Sequence, residues 1–170
     1  MTAPTLRPPG TGADWDAIAD LCREYRRFLF EVNPPARAML ERFYPDAAYE
    51  ALMADLPRLH VAPEGFALLA EAEGRALGCG MFRRHDATRV EIKRVYVAPE
   101  GRGTGLGRAI MEGLLAEARA RGNAGVLLDT MHVLTPAATL YEALGFTRRG
   151  PYLDGHAGTE DVVRCYELTF

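Results

Sequence analysis

The order of apolar patterns along the chain predicts an α/β (α+β) fold, a central mixed sheet with helices on both faces. Three observations carry this. Residues 66–72, 76–83 and 88–97 are successive short apolar runs separated by tight polar turns, the pattern of antiparallel strands. Residues 105–122 repeat apolar side chains at helical spacing, and 126–130 return to a short apolar run, so a strand–helix–strand unit follows the hairpins. Upstream, an amphipathic helical segment begins at Asp14.

Each element has a local reason. In the first helix Ile18, Leu21, Cys22, Tyr25, Phe28 and Leu29 share one face, and Asn33-Pro34-Pro35 ends it because proline cannot continue a helix. A second helical region holds Met39 and Phe43, then Tyr49, Leu52, Met53 and Leu56, with Pro45 expected to split it. Glu73-Gly74-Arg75 reads as a hairpin turn, Asp86-Ala87 as the turn into the third run, and Ala98-Pro99 as that run's end. The helix starting near Gly105 stacks Leu106, Ile110, Leu114 and Ala118 beside Met111 and Leu115, and closes at Arg119, Arg121 and Gly122. A short helix over 136–144 ends at Gly145, and 161–169 forms the last strand.

Composition removes several chemistries. With 170 residues, 48% hydrophobic and 25% charged, the chain is expected to fold as one domain, 1–170. A net charge of -3 argues against a nucleic-acid module. There is no serine, so no serine nucleophile; Lys93 is the only lysine and is followed by Arg94, so there is no Walker A loop. Cys22, Cys79 and Cys165 have neither disulfide-framework nor zinc spacing, and no metal is expected. Residues 1–10 lack the apolar core of a signal peptide, and no stretch reaches the ~20 apolar residues of a membrane span. A cytoplasmic protein is the expectation, with no nucleic-acid or membrane partner.

The informative stretch is residues 91–107, where glycines alternate at 101, 103, 105 and 107 between a strand and a helix. Glycine lets backbone approach a ligand, and a helix start offers unpaired N–H groups to an anion such as a pyrophosphate. The dinucleotide fingerprint is not met, since Leu106 and Arg108 stand where its third glycine would. Arg102-x-x-Gly105-x-Gly107 instead resembles the signature of the GCN5-related N-acetyltransferases (GNAT). Ala138-x-x-Tyr141-Glu142-Ala143-Leu144-Gly145-Phe146, which includes Leu140, is similar to that family's late helix, and Leu6-Arg7-Pro8 with Asp14-Trp15 to its first strand and helix. The resemblance spans about 6–168.

That resemblance implies a mostly antiparallel sheet with a V-shaped splay between strands 4 and 5, and acetyl-CoA as acyl-donor cosubstrate. The amides of Gly103, Thr104, Gly105, Leu106, Gly107 and Arg108 would hold the pyrophosphate, with Arg102 at the mouth of the loop. The backbone of Val95, Tyr96 and Val97 would pair with the pantetheine arm. Tyr141 is the implied general acid for the departing thiolate, its alternative being a core tyrosine. Glu91 is the implied general base, its alternative being a charge pair with Lys93 on the same strand face while water relays the proton. Acetyl transfer would be direct, in a ternary complex, with backbone amides near the splay stabilising the oxyanion.

Strand alternation puts Arg94 on the face opposite Glu91, where a salt bridge within the sheet region is expected ahead of contact with an acidic substrate group. His132 follows the fifth strand and reads as a loop residue or a relay member; His60, His85 and His156 have no identifiable partners, and Cys79 reads as a small strand residue. The acceptor site is expected between the first helix with its following segment and the 148–160 loop. Tyr25, Phe30, Tyr44 and Tyr152 are its candidate aromatic lining, and Asp154 and Asp161 candidate cation attractors. A small-molecule primary amine is the first expectation for the acceptor. Peptide or protein amines, or a sensor that binds acetyl-CoA without catalysis, are the alternatives. Dimers are common in the family, so a homodimer is compatible with it.

Overall fold

The computed structural model describes residues 4–170; the first three residues of the proline-rich opening segment, on which the expectation of no signal peptide partly rests, lie outside the described residues. The elements are β1 (Thr5–Arg7), α1 (Gly12–Val32), α2 (Arg37–Phe43), α3 (Asp46–Leu59), β2 (Gly65–Ala72), β3 (Arg75–Arg84) and β4 (Arg89–Val97). They continue with α4 (Leu106–Ala120), β5 (Gly125–Met131), α5 (Thr135–Ala143), β6 (Thr147–Arg149) and β7 (Val163–Thr169). The strands form one sheet in the order β1-β2-β3-β4-β5-β7-β6. Every pairing is antiparallel except β4 with β5.

Local chemistry sets the helix boundaries. Thr11 caps α1: its hydroxyl accepts from Asp14 N–H while the Asp14 carboxylate accepts from Thr11 N–H, satisfying two otherwise unpaired groups. Pro34 and Pro35 follow its end, and Pro45 is the residue before α3, so the proline punctuation read from the sequence holds.

Strand β2 is apolar on both faces because both are covered. Leu68 and Ala70 join α4 residues Ile110, Met111 and Leu114 in one core, and Ala67 and Leu69 join Ile18, Leu21, Met53 and Leu56 of α1 and α3 in the other. Gly80 allows α4 to press against the sheet, since a Cβ there would sit 2.6 Å from the Ile110 methyl. Strand β6 was not anticipated. Three residues at the sheet edge are too few for a period-two signal, and only pairing with β7 makes them a strand.

Two irregularities interrupt the centre of the sheet. The parallel β4–β5 ladder runs from Arg89↔Gly125 to Ile92↔Leu128, and beyond it the two strands are not paired. In addition, Met81 pairs with Lys93 but Cys79 pairs with Tyr96, so Gly80 faces two residues, Arg94 and Val95, across a bulge. Arg94 takes φ 54°, a left-handed conformation that costs a non-glycine residue on the order of 1 kcal/mol. Its carbonyl accepts from Cys79 Sγ at 3.6 Å. The bulge resets the alternation and overturns the expected orientation of Arg94. Lys93 and Arg94 are consecutive yet line the same cavity, and among the described residues Arg94 makes no salt bridge. Among the described residues no helix is long and apolar enough to cross a membrane.

Candidate active site

The glycine loop and the start of α4 form an anion cradle. Gly105 precedes the helix at φ 84° and Gly103 sits at φ 76°, and a Cβ on either would meet nothing within 4 Å, so that side of the loop is open. The first helical bond of α4 runs from Ala109 N–H to the Gly105 carbonyl, which leaves the amides of Leu106, Gly107 and Arg108 without helical partners. They carry the positive end of the helix dipole. Thr104 Oγ1 donates to the Gly101 carbonyl at 2.7 Å and braces the turn. Arg102 lies over the rings of Phe28 and Tyr96 at 4.9 and 5.8 Å and donates from Nε to the Val97 carbonyl; Arg108 pairs with Glu112. The amides, more than these two side chains, are therefore the groups left to meet a phosphate. The unpaired edge of β4 beyond Ile92 presents Val95, Tyr96 and Val97 toward the fork, which suits an extended amide-bearing arm. These residues fit a coenzyme A moiety.

Tyr141 of α5 is 7% exposed, its ring packed against Phe146 and Tyr166. Among the described residues its hydroxyl has no hydrogen-bond partner. Burial first, and then the negative charge of Asp129, raises its pKa above the ordinary phenol range, so the group stays protonated as a general acid must. The ring is part of the core, and its hydroxyl is free.

At the apex of the fork lies a charge network. Lys93 Nζ is 2.8 Å from Glu91 Oε1 and 2.7 Å from Asp129 Oδ1. Tyr152 Oη donates to Glu91 Oε1 at 2.9 Å and also lies 3.3 Å from Asp129 Oδ1. Arg83 approaches Glu91 Oε2 at 3.4 Å, and His156 Nε2 stands 3.7 Å from Asp129 Oδ2. The other His156 nitrogen contacts Cys165 Sγ at 3.3 Å, and burial pushes that thiol up to about 11. Burial alone would raise Asp129, but the charge of Lys93 and the His156 contact outweigh it and hold the carboxyl well below its usual range. Lys93 also suffers desolvation, which Asp129 and Glu91 overcome, so its pKa is raised and it remains charged.

Next to this network is a cavity of ≈ 490 Å³ between the first three helices and the Asp154–His156 turn. Of the candidate aromatic residues Tyr25 and Tyr44 line this cavity, while Phe30 and Tyr152 do not; Asp154 and Asp161 are exposed. Glu91, 1% exposed, lies behind the wall that Lys93 and Asp129 form. His132 bonds the Val162 carbonyl and is not part of the lining. His60 lines the cavity as a neutral ring, because burial lowers it to about 4 while Nδ1 bonds the Phe82 carbonyl. Sequence reasoning missed Asp129 and His156. A charged residue directly after the apolar run Val126-Leu127-Leu128, still within the strand, was the available signal for the first.

The Acetyltransferase (GNAT) family matches residues 15–146. An IAA acetyltransferase from Azospirillum brasilense is 31% identical over 81% of this chain and 81% of its own length. An uncharacterised N-acetyltransferase from Schizosaccharomyces pombe is 33% identical over 66% of this chain and 72% of its own. In fold, the chain resembles a GNAT-family acetyltransferase from Staphylococcus aureus (TM-score 0.76, 14% identity, 98% and 99% of the two chains covered). It also resembles a PaiA N-acetyltransferase from Thermoplasma acidophilum solved with coenzyme A (TM-score 0.73, 13% identity, 99% and 100% covered). With a forked β4–β5 pair beside a glycine-started helix and a family match across most of its length, the chain belongs to the GNAT family of acetyltransferases.

Proposed function

We propose that the chain transfers the acetyl group of acetyl-CoA directly to the primary amine of a small molecule. The observation that carries this is the fork: β4 and β5 part after Ile92 and Leu128, with the glycine loop on one side of the opening and the ≈ 490 Å³ cavity on the other. A cavity of that volume suits a small ligand.

Acetyl-CoA supplies an activated acyl group. The amides of Gly103 to Arg108 hold its phosphates, with Arg102 beside them, and the backbone of Val95, Tyr96 and Val97 aligns the arm so that the thioester meets the acceptor. As the amine nitrogen bonds the acyl carbon, the carbon–sulfur bond breaks and Tyr141 gives its proton to the leaving sulfur. The proton lost by the amine passes through water to Glu91, which Lys93 and Tyr152 hold behind the cavity wall. Holding both substrates in one geometry removes much of the entropic barrier.

The test is release of free thiol from acetyl-CoA across a panel of primary amines, with product mass measured. Acceptor-dependent thiol and an acetylated product are expected. Binding of acetyl-CoA without acceptor-dependent release would favour a sensor and overturn the reading.

A further inference from the structure

Among the described residues, Arg94 is left without a carboxylate partner. Three cations, Arg83, Lys93 and Arg94, line the cavity, but the two carboxylates of the network, Glu91 and Asp129, are taken by Lys93 and Arg83. Among the described residues half-buried Arg94 forms no ion pair; the neutral Tyr49 hydroxyl is beside it, and its Nε is buried without a hydrogen-bond partner. A partly desolvated guanidinium with no carboxylate partner is costly unless something else answers it. The bulge that turns Arg94 into the cavity is itself strained, so the side chain is held there against the ordinary strand alternation.

Resting on the acetyl-transfer reading above, we propose that the acceptor carries a carboxylate bound by Arg94, an apolar body, and the reacting amine, as in an apolar amino acid. The guanidinium fork matches the planar, two-oxygen geometry of a carboxylate. Met39, Leu40, Phe43 and Leu52 give the cavity an apolar wall for a hydrocarbon side chain. Among the described residues Asp129 is the only carboxylate in that lining, and its Oδ2, which Lys93 does not hold, meets the ammonium form of the acceptor before it is deprotonated. The single unmatched positive charge answers the single charge of a carboxylate.

The test compares L-phenylalanine and L-leucine with phenethylamine, 3-methylbutylamine and L-phenylalaninamide as acceptors, by thiol release and product mass. The amino acids are expected to be preferred in kcat/KM by about 10- to 100-fold, the worth of a charged hydrogen-bonded contact. R94Q should raise the KM for L-phenylalanine by that factor and erase its advantage over phenethylamine, and R94K should recover part of it. Equal use of all five acceptors by the wild type overturns the proposal and leaves the acetyltransferase reading intact. If acetyl-CoA binds but no amine is acetylated, the acetyl-transfer reading fails, and calorimetry with 3-phenylpropionate decides the Arg94 site separately. Binding that is lost in R94Q supports the site, and absence of Arg94-dependent binding overturns it.

Discussion

Lys93 of β4 and Asp129 of β5 meet at 2.7 Å one residue beyond the last paired positions, Ile92 and Leu128. Where the ladder stops, an ion pair spans the fork. It ties the strands at the apex while their backbones are free to separate beyond it, and the same two side chains form part of the cavity wall.

Breaking that pair should be expensive. Lys93→Met leaves buried Glu91 and half-buried Asp129 as neighbouring like charges with only the longer Arg83 and His156 contacts, and a loss of about 3 kcal/mol in unfolding free energy is expected. Urea denaturation at neutral pH measures it; a loss below 1 kcal/mol would mean that the network adds little.

The pair also fixes the acid limit. The Asp129 carboxyl is lowered in the fold, so its stabilisation is fully present above its unfolded value of about 3.9 and is lost as pH falls through the folded value. Stability curves of wild type and Asp129→Asn should therefore run parallel between pH 5 and 8 and converge below about pH 4. Parallel curves down to pH 2 would contradict the shift.

His60 acts in a different window. Its folded value of about 4 lies below the ordinary 6.5, so the unfolded state binds the extra proton. Stability is complete above about pH 6.5 and falls toward pH 4 with a slope of at most about 1.4 kcal/mol per pH unit. In His60→Gln that slope should flatten, as read from denaturation at pH 7, 6 and 5.

Tyr141→Phe removes a hydroxyl with no partner among the described residues and keeps the ring that packs on Phe146 and Tyr166. Turnover should drop by about 10²- to 10⁴-fold while the melting temperature and the affinity for acetyl-CoA stay close to wild type. Unchanged turnover in steady-state assays would remove Tyr141 from the reaction.

Gly105→Ala tests the cradle. At φ 84° an alanine costs about 1–2 kcal/mol, although its Cβ would strike no neighbour. The strain is relieved by moving the loop, so acetyl-CoA binding should weaken by about tenfold in calorimetry. Equal affinity would show that the amides after Gly105 do not hold the phosphates.

Much of the fold was legible because it is written in local periods. The α4 face from Leu106 to Ala118 repeats at helical spacing, the runs of β2 and β3 are bounded by turn residues, and the alternating glycines announce the loop. Tyr141 and Glu91 were located through the residues around them, and the pairing of Glu91 with Lys93 two residues away is a local strand relationship. The partners of Asp129 were not legible, since Lys93 and His156 lie 36 and 27 positions away in sequence and meet it only through the fork and the 150–160 loop.

By itself, the sequence determined the helix and strand pattern, the glycine cradle and the family resemblance, because each depends on residues close together in the chain. Only the tertiary structure decided which way Arg94 faces. Strand alternation assumes one residue opposite one, and the bulge across from Gly80 sets two against one, which brings Lys93 and Arg94 together on a cavity wall.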